Sequence, residues 1–88
     1  MVHPKLKDFI NHTLIPGFYL DVRGNYCIVI NKYLISVFVN SCDEELDVTI
    51  DGITKEGFFD DNIEWETPAD YKDVVETIQR FVKYAIEH

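Results

Sequence analysis

The sequence predicts an α+β domain: an N-terminal helix, a four- to five-stranded antiparallel meander sheet and a long C-terminal amphipathic helix packed on the sheet. Three observations carry this. From Phe18 to Val39, three apolar, β-branched and aromatic runs are separated by two short polar breaks, Gly24-Asn25 and Asn31-Lys32. That is the pattern of a meander with tight turns. Glu45 to Asp51 alternates polar with apolar residues, the period of a half-buried strand. Tyr71, Val74, Val75, Ile78, Phe81, Val82, Ala85 and Ile86 form one stripe at helical spacing.

The first helix is expected over Pro4 to Thr13. Proline suits the first helical position, where no backbone donor is lost. Leu6, Phe9, Ile10 and Leu14 share one face, and Pro16-Gly17 ends the helix. The meander strands are expected at Phe18 to Arg23, Tyr26 to Ile30 and Tyr33 to Asn40. With two-residue turns, Arg23 faces Tyr26 and Ile30 faces Tyr33. Alternation then collects Phe18, Leu20, Val22, Cys27, Val29, Leu34 and Phe38 on one side. Tyr19, Tyr26, Ile28, Ile30, Tyr33, Ile35, Val37 and Val39 fall on the other. Both sides are apolar, so either helices cover both faces or one face is an interface.

After the polar loop Asn40 to Glu44, the strand Glu45 to Asp51 points Leu46, Val48 and Ile50 inward. Glu45, Asp47, Thr49 and Asp51 point outward. Asp51-Gly52 reads as a turn. A fifth strand at Ile53 to Phe59 is the weaker expectation, because Gly57 interrupts it. Asp60 to Glu66 reads as an acidic loop or short irregular strand anchored by Ile63 and Trp65. The last helix is expected from Pro68 to Glu87, with Thr67 as cap and Asp70 as the acidic partner of a capping box. It would span about 30 Å.

The chain has 88 residues and is read as one domain over 1–88. Its apolar content, 47%, argues against disorder. No apolar run is long enough for a membrane span, and the first residues lack the apolar core of a signal peptide. The cytoplasm is the expected compartment. Two cysteines are too few for a disulfide scaffold. Cys27 reads as a packed thiol and Cys42 as a poor nucleophile among carboxylates.

The net charge is -8. Acids crowd the stretch from Asp43 to Asp73, where only Lys55 and Lys72 oppose them, while the first forty residues are near balance. Direct nucleic-acid binding is disfavoured, because phosphate contact needs Lys and Arg. A basic protein surface is the expected partner.

Catalytic chemistry finds no support in the residue pattern. His3 and His12 lie on or beside the first helix and His88 is the last residue, so no Ser or Cys has an evident base. Zinc spacing is absent. Asp60, Asp61, Asn62 and Glu64 offer oxygens but match no calcium loop. The glycines are scattered at turns, so no phosphate-binding loop exists. No catalytic residue, cofactor or metal is expected.

The expected partner-binding residues are Asp43, Glu44, Glu45, Asp47, Asp51, Asp60, Asp61, Glu64 and Glu66, together with Tyr19, Tyr26 and Tyr33. The tyrosines sit seven apart and fall on one face in the pairing above. A small acidic inhibitor that occludes a basic, nucleic-acid-binding surface of a larger protein is the leading expectation. Small phage-encoded nuclease inhibitors and bacterial immunity proteins share this general character, but no motif identifies a family. The alternative is a homodimeric structural or chaperone-like protein using an apolar sheet face.

Overall fold

The computed structural model describes residues 2–88. The chain runs α1 (Pro4–His12), β1 (Tyr19–Leu20), β2 (Tyr26–Ile30), β3 (Tyr33–Val39), β4 (Leu46–Ile53), β5 (Phe59–Glu66) and α2 (Tyr71–Glu87). The strands form one antiparallel sheet in chain order, so each connection between strands is a hairpin. The α+β fold expected from the sequence is the one observed.

Pro4 opens α1, and His3 caps it by accepting the Lys5 N–H on Nδ1 at 3.1 Å. Leu6 and Phe9 are its buried residues. The β2–β3 hairpin has the expected two-residue turn, with Ile30 opposite Tyr33. Asn31 takes φ 55, the left-handed region that Asn tolerates better than most residues. Its side-chain amide donates to the Ala85 carbonyl of α2 at 3.0 Å, tying this turn to the last helix.

The first hairpin differs from expectation. Leu20 pairs with Tyr26 and Tyr19 with Cys27, so Arg23 does not face Tyr26. The Asp21 carboxylate accepts the N–H groups of Arg23 and Asn25, at 2.9 and 3.0 Å. Asp21 and Asn25 are also joined through the backbone, and Gly24 N–H donates to the Asp21 carbonyl. Gly24 sits at φ 82. This is a three-residue loop, a turn followed by a left-handed glycine, where a two-residue turn was expected. The pairing shifts by an odd step, which exchanges the two faces of β1.

The same loop recurs between β4 and β5. Thr54 and Phe58 bracket it, Gly57 N–H donates to the Thr54 carbonyl, and Gly57 has φ 90. The expected Asp51-Gly52 turn does not form: Gly52 lies within β4, paired with Tyr33. Consequently the fifth strand is not at Ile53 to Phe59, which holds the loop, but at Phe59–Glu66, largely the stretch read as an acidic loop or short irregular strand. Its register jumps twice, leaving Asp60 and Ile63 as extra residues. Two bulges and four acids blur the alternation that marks a strand.

Both helices pack on one face of the sheet. Leu6 and Phe9 of α1 and Val74, Ile78, Phe81 and Ala85 of α2 meet Tyr26, Tyr33, Ile35, Val37, Leu46, Val48 and Ile50. Phe9 meets Tyr71 edge-on with ring centres 5.3 Å apart, locking one helix against the other. Helix α2 starts at Tyr71, later than expected, because Asp70 rather than Thr67 caps it by accepting the Asp73 N–H at 2.9 Å. No helix among the described residues is long and apolar enough to cross a membrane.

Candidate partner-binding face

The face without helices is built by alternate residues of the same strands: Cys27 and Val29 of β2, Leu34, Ser36 and Phe38 of β3, Asp47, Thr49 and Asp51 of β4, and Phe59, Asn62 and Trp65 of β5. The β1–β2 loop and the start of β5 rise at its two margins. Between them lies a trough of about 350 Å³, lined by Arg23, Asn25, Ser36, Thr49, Asp51, Asp60 and the aromatic rings of Phe38, Phe59 and Trp65.

The centre of this face rests on Asp47, which is 1% exposed. Its Oδ2 accepts Trp65 Nε1–H at 2.7 Å and Asn40 Nδ2–H at 2.9 Å. Trp65 in turn meets Phe38 edge-on, at 5.5 Å and 73°. Asp47 Oδ1 is buried with no hydrogen-bond partner among the described residues. A buried oxygen left unmatched is costly, so Asp47 is retained for what Oδ2 holds. The carboxylate ties down the indole by its N–H, and Trp65 remains 53% exposed.

Of the remaining acids, Asp51 and Asp60 share this face and the others do not. Asp43, Glu44 and Glu45 lie in or beside the β3–β4 turn, where Glu44 meets His3 at 3.3 Å and Glu45 meets Lys5 at 3.1 Å. Glu64 and Glu66 point to the helix side of β5, and Arg80 of α2 reaches them at 2.8 and 3.6 Å. A hydrogen bond to Glu64 holds the Glu66 carboxyl above its ordinary range, helped by burial and the Glu64 charge, against the pull of Arg80. Asp61 sits beside Gly52, also on the helix side. Asp51 and Asp60 border the trough, and Asp51 accepts the Asn62 amide at 2.8 Å. The two exposed ends of this acid set are separated by β4, roughly 25 Å at 3.3 Å per residue. The sequence placed these carboxylates on one outward surface; the fold distributes them over three places and buries Asp47.

The tyrosines are also redistributed. Tyr26 and Tyr33 are buried beneath the helices, and their packing in the core leaves them no contact with a partner. The odd shift of the first hairpin sends Tyr19 to the opposite face, beside Cys27. Burial holds the Cys27 thiol above its ordinary pKa, and a hydrogen bond with that thiol raises Tyr19. Cys27 is a packed, protonated thiol; Cys42 is exposed, and neither is in a disulfide.

At the margin, burial pushes the Asp21 carboxyl up, but the Asn25 and Arg23 N–H groups and the Arg23 guanidinium outweigh it and lower its pKa. The Arg23 guanidinium lies 3.3 Å from Asp21. Among the described residues, no group of three or more His, Cys, Asp and Glu side chains is placed to hold a metal ion. Sequence reasoning missed Ser36, Phe38, Thr49 and Trp65 as surface residues of one site. The available signal was parity: Ser36 and Phe38 alternate with the core residues Ile35 and Val37. No family model, no curated protein and no solved structure matches this chain.

Proposed function

We propose that this chain is a small non-catalytic protein-binding module that presents the open face of its sheet to a basic surface on a larger protein. One observation carries the reading. The sheet has a helix layer on one side only, and the bare side has an aromatic centre with Asp51 and Asp60 at its edge. Large half-exposed aromatic side chains next to uncompensated carboxylates suit a protein interface with cationic character. The net charge of -8 supports the same partner chemistry at long range. Occlusion of a nucleic-acid-binding surface, as small phage-encoded anti-defence and immunity inhibitors achieve, is the finer form of this proposal. Two unpaired cysteines suit a reducing compartment such as the cytoplasm.

The acids that bear on this reading are Asp51 and Asp60, not Asp47, which supports Trp65 from below. Affinity capture should therefore compare the wild-type chain with Asp51→Lys/Asp60→Lys and with a control reversed at Asp43 and Glu45. Loss of a captured protein in the first variant only would support the open face. Its association rate should also fall about tenfold between low and high salt. Equal capture by all three chains would overturn the reading.

A second reading has its own observation. An apolar cleft of about 440 Å³ opens between α2 and the α1–β1 connection, lined mainly by Ile15, Phe18, Ile28, Ile30, Val82 and Ile86. Self-association through this end would bury it. Sedimentation at high concentration decides: a strict monomer removes this reading.

A further inference from the structure

We propose that the open-face trough is a slot for an arginine side chain of the partner protein. This rests on the open-face reading above and names the group that the face grips. Ser36 and Thr49 form the floor of the trough and are each 5% exposed. Neither side-chain hydroxyl has a hydrogen-bond partner among the described residues. Neither oxygen is among the atoms sealed from solvent without a partner, so both open onto the trough and present two acceptors to a guest. Asp51 and Asp60 border the same space, and among the described residues the only side-chain partner of either is the neutral amide of Asn62. The one cation on the lining, Arg23, is already held by Asp21. The lining includes the rings of Phe38, Phe59 and Trp65, and Trp65 is half-exposed.

A guanidinium matches each of these features. It is planar, stacks on aromatic faces, is weakly hydrated and carries five N–H donors in a fixed fork. Hydroxyl oxygens and carboxylates at different points of one wall can be used together by such a fork. A lysine ammonium presents a compact point charge and uses fewer of them. An anionic guest would meet Asp51 and Asp60, and an apolar guest would seal the two hydroxyls away from water unpaired. The Asn25 side-chain amide, at the far margin, can meet a carbonyl group of the guest backbone.

Trp65 is the only tryptophan, so indole emission reports directly on the slot. The probe is acetyl-Gly-Arg-Gly-amide, titrated into the full wild-type chain at low salt beside its lysine and citrulline counterparts. The arginine peptide should give a saturable change in emission. The lysine peptide should need about fivefold more for half-saturation, and the uncharged citrulline peptide should give none. Thr49→Val removes one acceptor at nearly constant shape and should weaken the arginine peptide about fivefold. Equal responses to all three peptides, or no response to arginine, would overturn the slot on the wild-type chain alone. A change that tracks protein concentration without peptide would identify a second copy as the occupant and also overturn it. The two proposals separate cleanly. If Asp51→Lys/Asp60→Lys loses the captured protein while arginine leaves the indole unchanged, the slot falls and the open face stands. If arginine shifts the indole while capture survives reversal, the trough binds a guanidinium but the partner surface lies elsewhere, and the slot as a grip on the partner falls with the open-face reading.

Discussion

The helix-covered face of the sheet is filled by Ile35, Val37, Val48 and Ile50; of the hydroxyls buried on that side, Tyr26 exchanges hydrogen bonds with the Ile15 backbone and Thr77 of α2 donates to the Asp73 carbonyl. The open face buries Cys27, Ser36, Asp47 and Thr49 to a similar depth, but beneath single side chains instead of helices. The first side is closed by mutual apolar packing. The second is closed by one indole resting on a carboxylate, and the Ser36 and Thr49 hydroxyls beside it have no protein partner among the described residues. Equal burial therefore has different meanings on the two sides. One side excludes water for stability. The other side leaves polar groups facing the trough for an incoming group.

The largest effect should come from breaking the covered side. Phe81 is 2% exposed within the core that both helices and the sheet share. Phe81→Ala should cost about 3–5 kcal/mol in urea unfolding, much of the stability of a domain this size. On the open side, Asp47→Ala strands Trp65 Nε1–H and the Asn40 amide; its cost should be about 2 kcal/mol, with a red-shifted indole emission as Trp65 loosens. A loss as large as that of Phe81→Ala would mean that the two sides are not different in kind.

Much of this contrast was legible before the fold was known. The β2–β3 hairpin, both helices and the inward set Leu46, Val48 and Ile50 follow from period and turn chemistry. What escaped was set by single side chains. Asp21 captured two backbone N–H groups and lengthened a turn, which moved Tyr19 to the other face. Gly52 looked like a turn residue beside Asp51, yet it lies in β4 opposite Tyr33. The signal that would have corrected both was shared: Asp21-Val-Arg-Gly24 and Thr54-Lys-Glu-Gly57 are the same loop written twice. The trough escaped because Trp65 belongs to a doubly bulged strand with no clean alternation.

Smaller effects sharpen the comparison at its margins. The pKa of Asp21 is lower folded than unfolded, so its contribution is present above the ordinary carboxylate range and is lost as pH falls through the folded value. Asp21→Asn should therefore flatten the acid limb of the stability–pH curve. Glu66 has the opposite sign: its folded pKa is raised, so it detracts from stability at neutral pH, and Glu66→Gln should gain there and not in acid. The smallest change is expected at Glu44, which holds φ 56 in the β3–β4 turn. Glu44→Gly should raise the thermal midpoint slightly, by about 0.5–1 kcal/mol of stability, with neither face altered.

The two bulges and the four acids of β5 also govern how the chain behaves in a crowd. A strand at the border of a sheet is a template for endless growth, since its outward amides are unpaired. Here Asp60 and Ile63 bend that border, and like charges would repel a copy laid alongside it. Fibril seeding at this border should therefore begin only under acid, once those charges are neutralised.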